Sequence, residues 1–267
     1  MGKPKKVSKF KKTLDIVWQK TKAVSLKLTG WFLNSLYPEG LVCLDCKTEL
    51  KTDTDKYLSL CASCAERLPF RTQGRTCDYC GCYMDDLAES NCCTRCKVTQ
   101  PQYDKLISAF DYRGTAKKMV INYKKHGETY LYKYIARYLT DYMNATNINA
   151  DYFTYVPSTK KTVRFRGFDH LSKVSAELSE KLKTPLIFPL IRVKEAVPQK
   201  TGALTDRFEN VKGAFDLNPI FDKAILENKT ILLLDDVATT GATVNECARV
   251  LKDNGAFEVF VLTFARA

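Results

Sequence analysis

Ten of the eleven cysteines fall between Cys43 and Cys96, and their spacing constrains that stretch more than any other feature of the chain. Cys43 and Cys46 form one Cys-x-x-Cys knuckle, Cys61 and Cys64 a second, with fourteen residues between them. Cys77 and Cys80 pair in the same way with Cys93 and Cys96 across twelve residues. A knuckle offers two thiolates at tetrahedral spacing, and two knuckles close a four-cysteine zinc site. Residues 41–100 have little apolar periodicity, so the segment cannot build a core of its own and needs such a staple. The spacing favours one ion per consecutive quartet, Cys43/Cys46/Cys61/Cys64 and Cys77/Cys80/Cys93/Cys96. An interleaved pairing and a substitution of Cys92 for Cys93 stay open, and Cys82 is extra. Closed all-cysteine sites are structural rather than catalytic. A redox role is disfavoured because no thioredoxin-like strand precedes any knuckle. Cys247 reads as a buried small apolar residue.

Residues 101–267 have a different character. Apolar runs at residues 106–111, 152–156, 231–234 and 258–264 read as strands. Helix-period stretches at 115–125, 130–143, 169–183 and 243–254 lie between them. Alternating strands and helices predict an α/β domain with a largely parallel sheet.

The first 40 residues form a third region. Val7, Phe10, Leu14, Val17, Val24, Leu28 and Trp31 follow a 3-4 spacing on a Lys-rich stretch, which predicts an amphipathic helix. The formal charge is +12, and residues 1–30, with nine lysines against Asp15, carry +8 of it. The chain is therefore not a uniformly basic nucleic-acid binder; most of its excess charge is one arm. That arm is suited to packing on the rest of the fold, to a membrane surface, or to an acidic partner or nucleic acid. No apolar run reaches the roughly 18–20 residues that span a bilayer, and no signal-peptide pattern is visible. These features predict a cytoplasmic protein, with the arm as a route to the inner face of the membrane.

Near the C-terminus, the run Ile231, Leu232, Leu233, Leu234 stops at Asp235 and Asp236. Ala238, Thr239, Thr240, Gly241, Ala242 and Thr243 follow and lead into a helix. Ligands of parallel sheets sit at the carboxyl ends of strands. A tight turn at a helix start presents free N–H groups and a favourable dipole to an anion, and small residues let the backbone approach closely. The turn is built for a phosphate, and the two acids suit vicinal ribose hydroxyls or the waters of a magnesium ion. The chain has neither a G-x-x-x-x-G-K-[ST] nor a G-x-G-x-x-G sequence, which disfavours P-loop hydrolysis and dinucleotide binding.

From Ile231 to about Val250 this pattern resembles the 5-phosphoribosyl-1-pyrophosphate (PRPP) motif of type I phosphoribosyltransferases. Two more segments narrow the resemblance. The run from Tyr155 to Asp169 holds Pro157, Lys160, Lys161, Arg164, Arg166, Gly167 and Phe168. The run from Gln199 to Phe215 holds Leu204, Arg207, Asn210, Val211, Gly213 and Ala214. With the cysteine segment after Leu36, Tyr37 and Pro38, these look like the ComF family of competence-associated, phosphoribosyltransferase-like proteins. The resemblance covers about residues 31–267 and implies a type I phosphoribosyltransferase-like parallel sheet flanked by helices, preceded by a small zinc ribbon. Together with the composition shifts along the chain, it gives an expected division into a basic arm (1–40), which the resemblance leaves unexplained, a zinc-ribbon segment (41–100) and a phosphoribosyltransferase-like domain (101–267). One departure stands out: Asp169 and His170 occupy the place where the family commonly has Asn-Gln. Beside Arg166, Asp169 reads as a structural ion-pair partner. His170 reads as a surface or core residue.

The resemblance also implies residue roles. Asp235 and Asp236 would contact the ribose hydroxyls, and residues 238–243 would hold the 5-phosphate. Ser158, Thr159, Lys160 and Lys161 would form the pyrophosphate loop. Lys161, Arg164 and Arg166 would neutralise the leaving pyrophosphate together with magnesium. Residues 199–210 would form a mobile loop that closes over the site, with Arg207 on a phosphate. The expected catalytic set is Asp235, Asp236, Lys161, Arg164 and Arg207. Nothing in the sequence marks an acceptor. The family's association with uptake of single-stranded DNA makes a non-catalytic, zinc-dependent DNA-binding role the rival reading. Lys117, Lys118, Lys124 and Lys125 with Tyr112, Tyr123, Tyr130 and Tyr132 are its candidate contacts, while helix packing is the plainer use of those tyrosines. Other competence proteins are further candidate partners.

Overall fold

The computed structural model describes residues 41–51, 59–71, 74–194 and 204–267; the predicted arm helix lies outside them. The chain divides into two compact units, residues 1–65 and 66–267. The boundary falls between the two cysteine quartets, so the second quartet shares a unit with the α/β region.

In the first unit, the antiparallel bridge Val42–Glu49 closes the first knuckle. The Cys43 amide donates to Thr48 O at 2.7 Å and the Lys47 amide to Cys43 O at 3.0 Å. Lys47 takes a left-handed conformation (φ 63°), which turns the chain just after Cys46. Cys64 sits on a short helix, α1 (Ala62–Glu66).

The second quartet repeats this plan within the larger unit. The bridge is Thr76–Tyr83, the knuckle bonds are Cys77 N to Cys82 O and Gly81 N to Cys77 O, both 2.9 Å, and Gly81 is left-handed (φ 63°). Cys93 caps α2 (Thr94–Thr99), which carries Cys96. Gly81 has a second reason to lack a side chain. A Cβ there would stand 2.9 Å from Leu106 O, because the knuckle is docked on the next strand through the Leu106 amide, which donates to Tyr79 O at 2.6 Å.

The α/β region follows as β1 (Lys105–Asp111), α3 (Gly114–Lys125), α4 (Leu131–Asn144), β2 (Tyr152–Tyr155), α5 (Lys160–Arg166), α6 (His170–Leu182), β3 (Leu190–Arg192), α7 (Leu204–Val211), β4 (Phe215–Leu217), a 3-10 turn (Lys223–Leu226), β5 (Thr230–Ala238), α8 (Ala242–Asp253) and β6 (Glu258–Arg266). The main sheet has the order β1-β6-β5-β2 and is parallel throughout. Ile231, Leu232, Leu233 and Leu234 are all buried, as expected for a central parallel strand covered on both faces. Helices α4 and α6 pack on each other and against the sheet, and α8 packs against β5 and β6. The parallel sheet flanked by helices, with four-cysteine segments ahead of it, is the expected fold class.

Four features differ from the sequence expectation. Strand β5 does not stop before the acids: it runs to Ala238, paired with β6 as far as Ala238–Arg266. Its other neighbour, β2, ends its pairing at Tyr155–Leu234, just before Pro157, which has no N–H for a ladder. Lys160 and Lys161, expected within a pyrophosphate loop, instead open α5, with Thr159 as N-cap and Gly167 (φ 78°) as left-handed C-cap. Residues 204–210, expected within a mobile loop, fall in α7; residues 199–203 lie outside the described residues. Strands β3 and β4 add a small antiparallel sheet that the sequence reading missed.

The knuckle geometry makes a prediction. Gly81→Ala combines left-handed strain with a clash against Leu106 O, so it should destabilise the larger unit by about 2 kcal/mol or more. Gly127 has the same left-handed φ (71°) with open space around it, so Gly127→Ala should cost only about 1 kcal/mol. Thermal unfolding of the two variants side by side measures the difference; equal losses would contradict the docking role of the knuckle.

Candidate functional site

Because β5 outruns β2, Asp235 and Asp236 project from a strand that is paired on one side only. Asp236 is the hub of the described contacts. Lys124, at the end of α3, forms an ion pair with its Oδ2. His170, the first residue of α6, approaches the same oxygen through Nε2 at 2.5 Å. The other ring nitrogen, Nδ1, lies 3.0 Å from Arg166 Nη1. A guanidinium only donates, so Nδ1 accepts and the ring proton sits on Nε2, from which it donates to Asp236. The chain Arg166–His170–Asp236–Lys124 thus links α5, α6, β5 and α3. Tyr123 OH donates to His170 O at 2.6 Å and fixes the start of α6.

The two neighbouring acids are electrostatically unlike. For Asp236, burial opposes ionisation, but the His170 hydrogen bond and the Lys124 charge outweigh it and hold the carboxyl well below the usual range. For Asp235, burial and the adjacent Asp236 charge push the carboxyl up to about 7. One acid is a fixed anion and the other is poised to gain or lose a proton near neutrality. The Asp236 amide also donates to Asp235 Oδ1 at 2.8 Å, so each acid is oriented by local backbone as well as by its partners.

The turn that follows is compact. Ala238, Thr240, Gly241 and Ala242 are buried and Thr239 is exposed. Thr240 Oγ1 accepts from the Ala242 amide at 3.3 Å, and Asn245 N donates to Gly241 O at 2.9 Å. Gly241 is left-handed (φ 82°), and a Cβ there would stand 3.1 Å from the Tyr103 hydroxyl oxygen. The first amides of α8, including that of Thr243, have no intrahelical acceptors, which leaves donors for an anion.

The other expected residues divide. Lys161 and Arg166 line one open hollow together with Lys124, Lys125, Thr162 and Phe168. This brings cations from α3 and α5 to the side of Asp236. Ser158 and Thr159 are turned to local structure: Ser158 Oγ donates to Asp169 Oδ1 at 3.0 Å, and Thr159 Oγ1 caps α5 by accepting from Thr162 N at 3.0 Å. Arg164 is exposed on α5. Nothing is described of the Lys160 and Arg207 side chains. Asp169 does not pair with Arg166 as expected; it caps α6, accepting from Leu171 N at 3.2 Å, and Arg166 turns to His170 instead. Tyr123 is buried, which removes it from the stacking surface proposed for single strands. Tyr112, Tyr130 and Tyr132 keep partial exposure.

Both cysteine quartets bring their sulfurs within 4.8 Å of one another, grouped consecutively. The separations Cys46–Cys61, 3.6 Å, and Cys80–Cys93, 3.8 Å, match the edge of roughly 3.8 Å that a tetrahedron with zinc–sulfur bonds near 2.3 Å requires. The residues therefore fit zinc in each quartet. Cys82 and Cys92 stand outside these groups, and Cys247 is fully buried in α8.

No family model matches the chain. Among curated proteins, it is 25% identical to competence protein F of Haemophilus influenzae over 233 residues, covering 84% of this chain and 96% of the relative. It is 24% identical to competence protein ComFC of Streptococcus pneumoniae over 204 residues, covering 71% of this chain and 87% of the relative. These similarities support the resemblance to the ComF family. A further relative is the DNA utilization protein YhgH of Salmonella typhimurium, 27% identical over 213 residues, with 78% of this chain and 90% of the relative covered. Among solved structures, a glutamine PRPP amidotransferase from B. subtilis aligns with 49% of this chain and 25% of its own, at 20% identity and a TM-score of 0.34, too slight a likeness to carry an argument. No helix among the described residues is long and apolar enough to cross a membrane.

Sequence reasoning missed Lys124 and His170 as members of this site. Only the Asp-His departure after Arg166, Gly167 and Phe168 signalled either of them. The raised Asp235 carboxyl makes stability depend on pH with a defined sign. Its protonated form favours the folded state; that contribution is complete below the unfolded value near 4 and is lost as pH rises through about 7. Asp235→Asn should flatten the fall in melting temperature between pH 4 and 7 and leave the variant more stable than the wild type at pH 8. Thermal melts across that range check this; an unchanged slope would remove Asp235 as the titrating group.

Proposed function

We propose that the chain is a phosphoribosyltransferase-like protein that binds PRPP with magnesium at the carboxyl end of β5 and serves the uptake or use of single-stranded DNA. The observation that carries this reading is the direct continuity of two carboxylates, Asp235 and Asp236, with a small-residue turn that opens α8. A ribose diol donates hydrogen bonds to carboxylates. A phosphate accepts them from amides at a helix start and from Thr239, Thr240 and Thr243. Ala238, Gly241 and Ala242 keep side chains out of its way.

The pyrophosphate half of the ligand is matched by charge. Lys124, Lys125, Lys161 and Arg166 meet in one hollow beside Asp236, and their preorganised charge is suited to an anionic leaving group. Arg164 and Lys160 on α5 and Arg207 on α7 extend that set in this reading. The hard carboxylate oxygens of Asp235 and Asp236 are donors of the kind magnesium takes, directly or through water. Magnesium, when bound, neutralises pyrophosphate oxygens. Lys124 exchanges Asp236 for a phosphate oxygen as the ligand enters, and His170 keeps Asp236 in position.

The DNA connection rests on relatives named for competence and DNA utilization. Those names also favour a second reading, an accessory factor that keeps PRPP binding without ribosyl transfer and handles DNA with help from its zinc segments. Release of pyrophosphate from PRPP in the presence of DNA or free bases separates transfer from binding alone.

The binding claim has its own test. At about 100 times its Kd, a ligand stabilises by about 2.7 kcal/mol, a rise in melting temperature of roughly 5 °C or more for a domain of this size. PRPP with magnesium should give that rise in the wild type, and Asp235→Asn combined with Asp236→Asn should abolish it. A full shift in the double variant would sink the site.

A further inference from the structure

Tyr103 stands between the second cysteine quartet and the turn after β5. It is buried, and it lies within the electrostatic reach of Cys80, Cys96 and Arg266. On its other side it lies over Gly241, whose missing side chain leaves room for the phenol. The residue before it ties the same two regions together. The Gln102 amide donates to Asn245 Oδ1, in the first turn of α8, at 2.8 Å. The segment that leaves α2, the helix of Cys96, therefore rests directly on the turn and the helix start that follow Asp236.

Arg266 is the second observation. It lies at the end of β6, opposite Ala238 of β5 and Asp111 of β1. It is 5% exposed, and its Nη1 is buried without a hydrogen-bond partner among the described residues. Its charge acts on Cys80. Asp111, the acid paired with it in the β1–β6 register, is already engaged by Arg71 and Arg113. A buried cation lacking a counter-charge is strongly destabilising. A zinc ion bound by four thiolates carries a net charge of −2. The quartet beside Arg266 supplies that counter-charge once it is loaded.

We infer that the metal of the second quartet holds the turn after β5 in shape, with Arg266 as its counter-cation and Tyr103 as the wedge against Gly241. The quartet is then more than a local staple: it is the buttress of residues 238–245, and its loss loosens that turn while the sheet stays intact. The functional weight of this inference rests on the turn's place in the proposed PRPP site, but its structural content does not.

The test uses the full, zinc-loaded chain and reads hydrogen exchange in the turn together with zinc content. Emptying the second quartet with Cys80→Ser and Cys96→Ser should speed exchange of amides 239–245 by roughly tenfold or more. Emptying the first with Cys43→Ser and Cys46→Ser should leave those amides within about twofold of the wild type. Arg266→Met should release zinc from the second quartet to a chromogenic chelator roughly tenfold faster, while Arg266→Lys, which keeps the charge, restores retention. Should the serine variant of the second quartet fail to fold, Tyr103→Leu leaves every cysteine in place and should loosen the turn with both metals retained. Unchanged turn protection in either the emptied quartet or Tyr103→Leu overturns the inference, as does unaltered zinc release from Arg266→Met. Titration with magnesium and PRPP runs alongside: a wild type that binds none refutes the ligand assignment, while the exchange data still decide this one.

Discussion

The site depends on a mismatch in strand length. β5 and β6 stay paired out to Ala238 and Arg266, while β2 stops at Tyr155. Had all three ended together, Asp235 would begin a loop. Instead the β6 ladder carries both acids beyond the edge of the sheet on a fixed backbone and delivers the chain straight into the turn before α8. Backbone pairing thereby fixes the order carboxylate, carboxylate, turn, helix start with little freedom between its parts. That rigidity is what a site built from adjacent residues needs, because ligand groups must meet all of them at once.

Electrostatics then separates two acids that the sequence makes look alike. Both lie in a place that disfavours charge. Lys124 and His170 make their direct contacts with Asp236, so it carries the charge, and its charge in turn pushes the Asp235 proton affinity up. Asymmetric pairs of this kind mark sites where one group is held as an anion while its neighbour titrates. The cations that border the pair, Lys124 and Arg166, also line the basic hollow, so the network that orients Asp236 is continuous with that hollow.

Much of this was legible in the chain, for reasons that differ by element. The quartets were readable because knuckle spacing is local, and their consecutive grouping followed. The buried run at residues 231–234 and the helices around it were readable from periodicity. The extension of β5 through Asp235 and Asp236 was not, since it depends on the length of its partner β6. Helix α5 has local signals in Thr159 as a cap and Gly167 as a stop, while the resemblance implied a loop at its first residues. Lys124 and His170 come from α3 and α6; their meeting at Asp236 is a tertiary event with no local signature. Arg266 is the same kind of case, an ordinary strand-end residue until its burial beside the cysteines is seen.

The most direct test of the central claim, that Asp235 and Asp236 form a ligand site whose charge balance changes on binding, is calorimetric titration with PRPP and magnesium at pH 6 in two buffers of different ionisation enthalpy. At that pH, below the value of about 7 for Asp235, that carboxyl is mostly protonated. The account predicts saturable, magnesium-dependent binding with net release of a proton per site, approaching zero release by pH 8.5. No binding, or binding with the same heat in both buffers at pH 6, would contradict it.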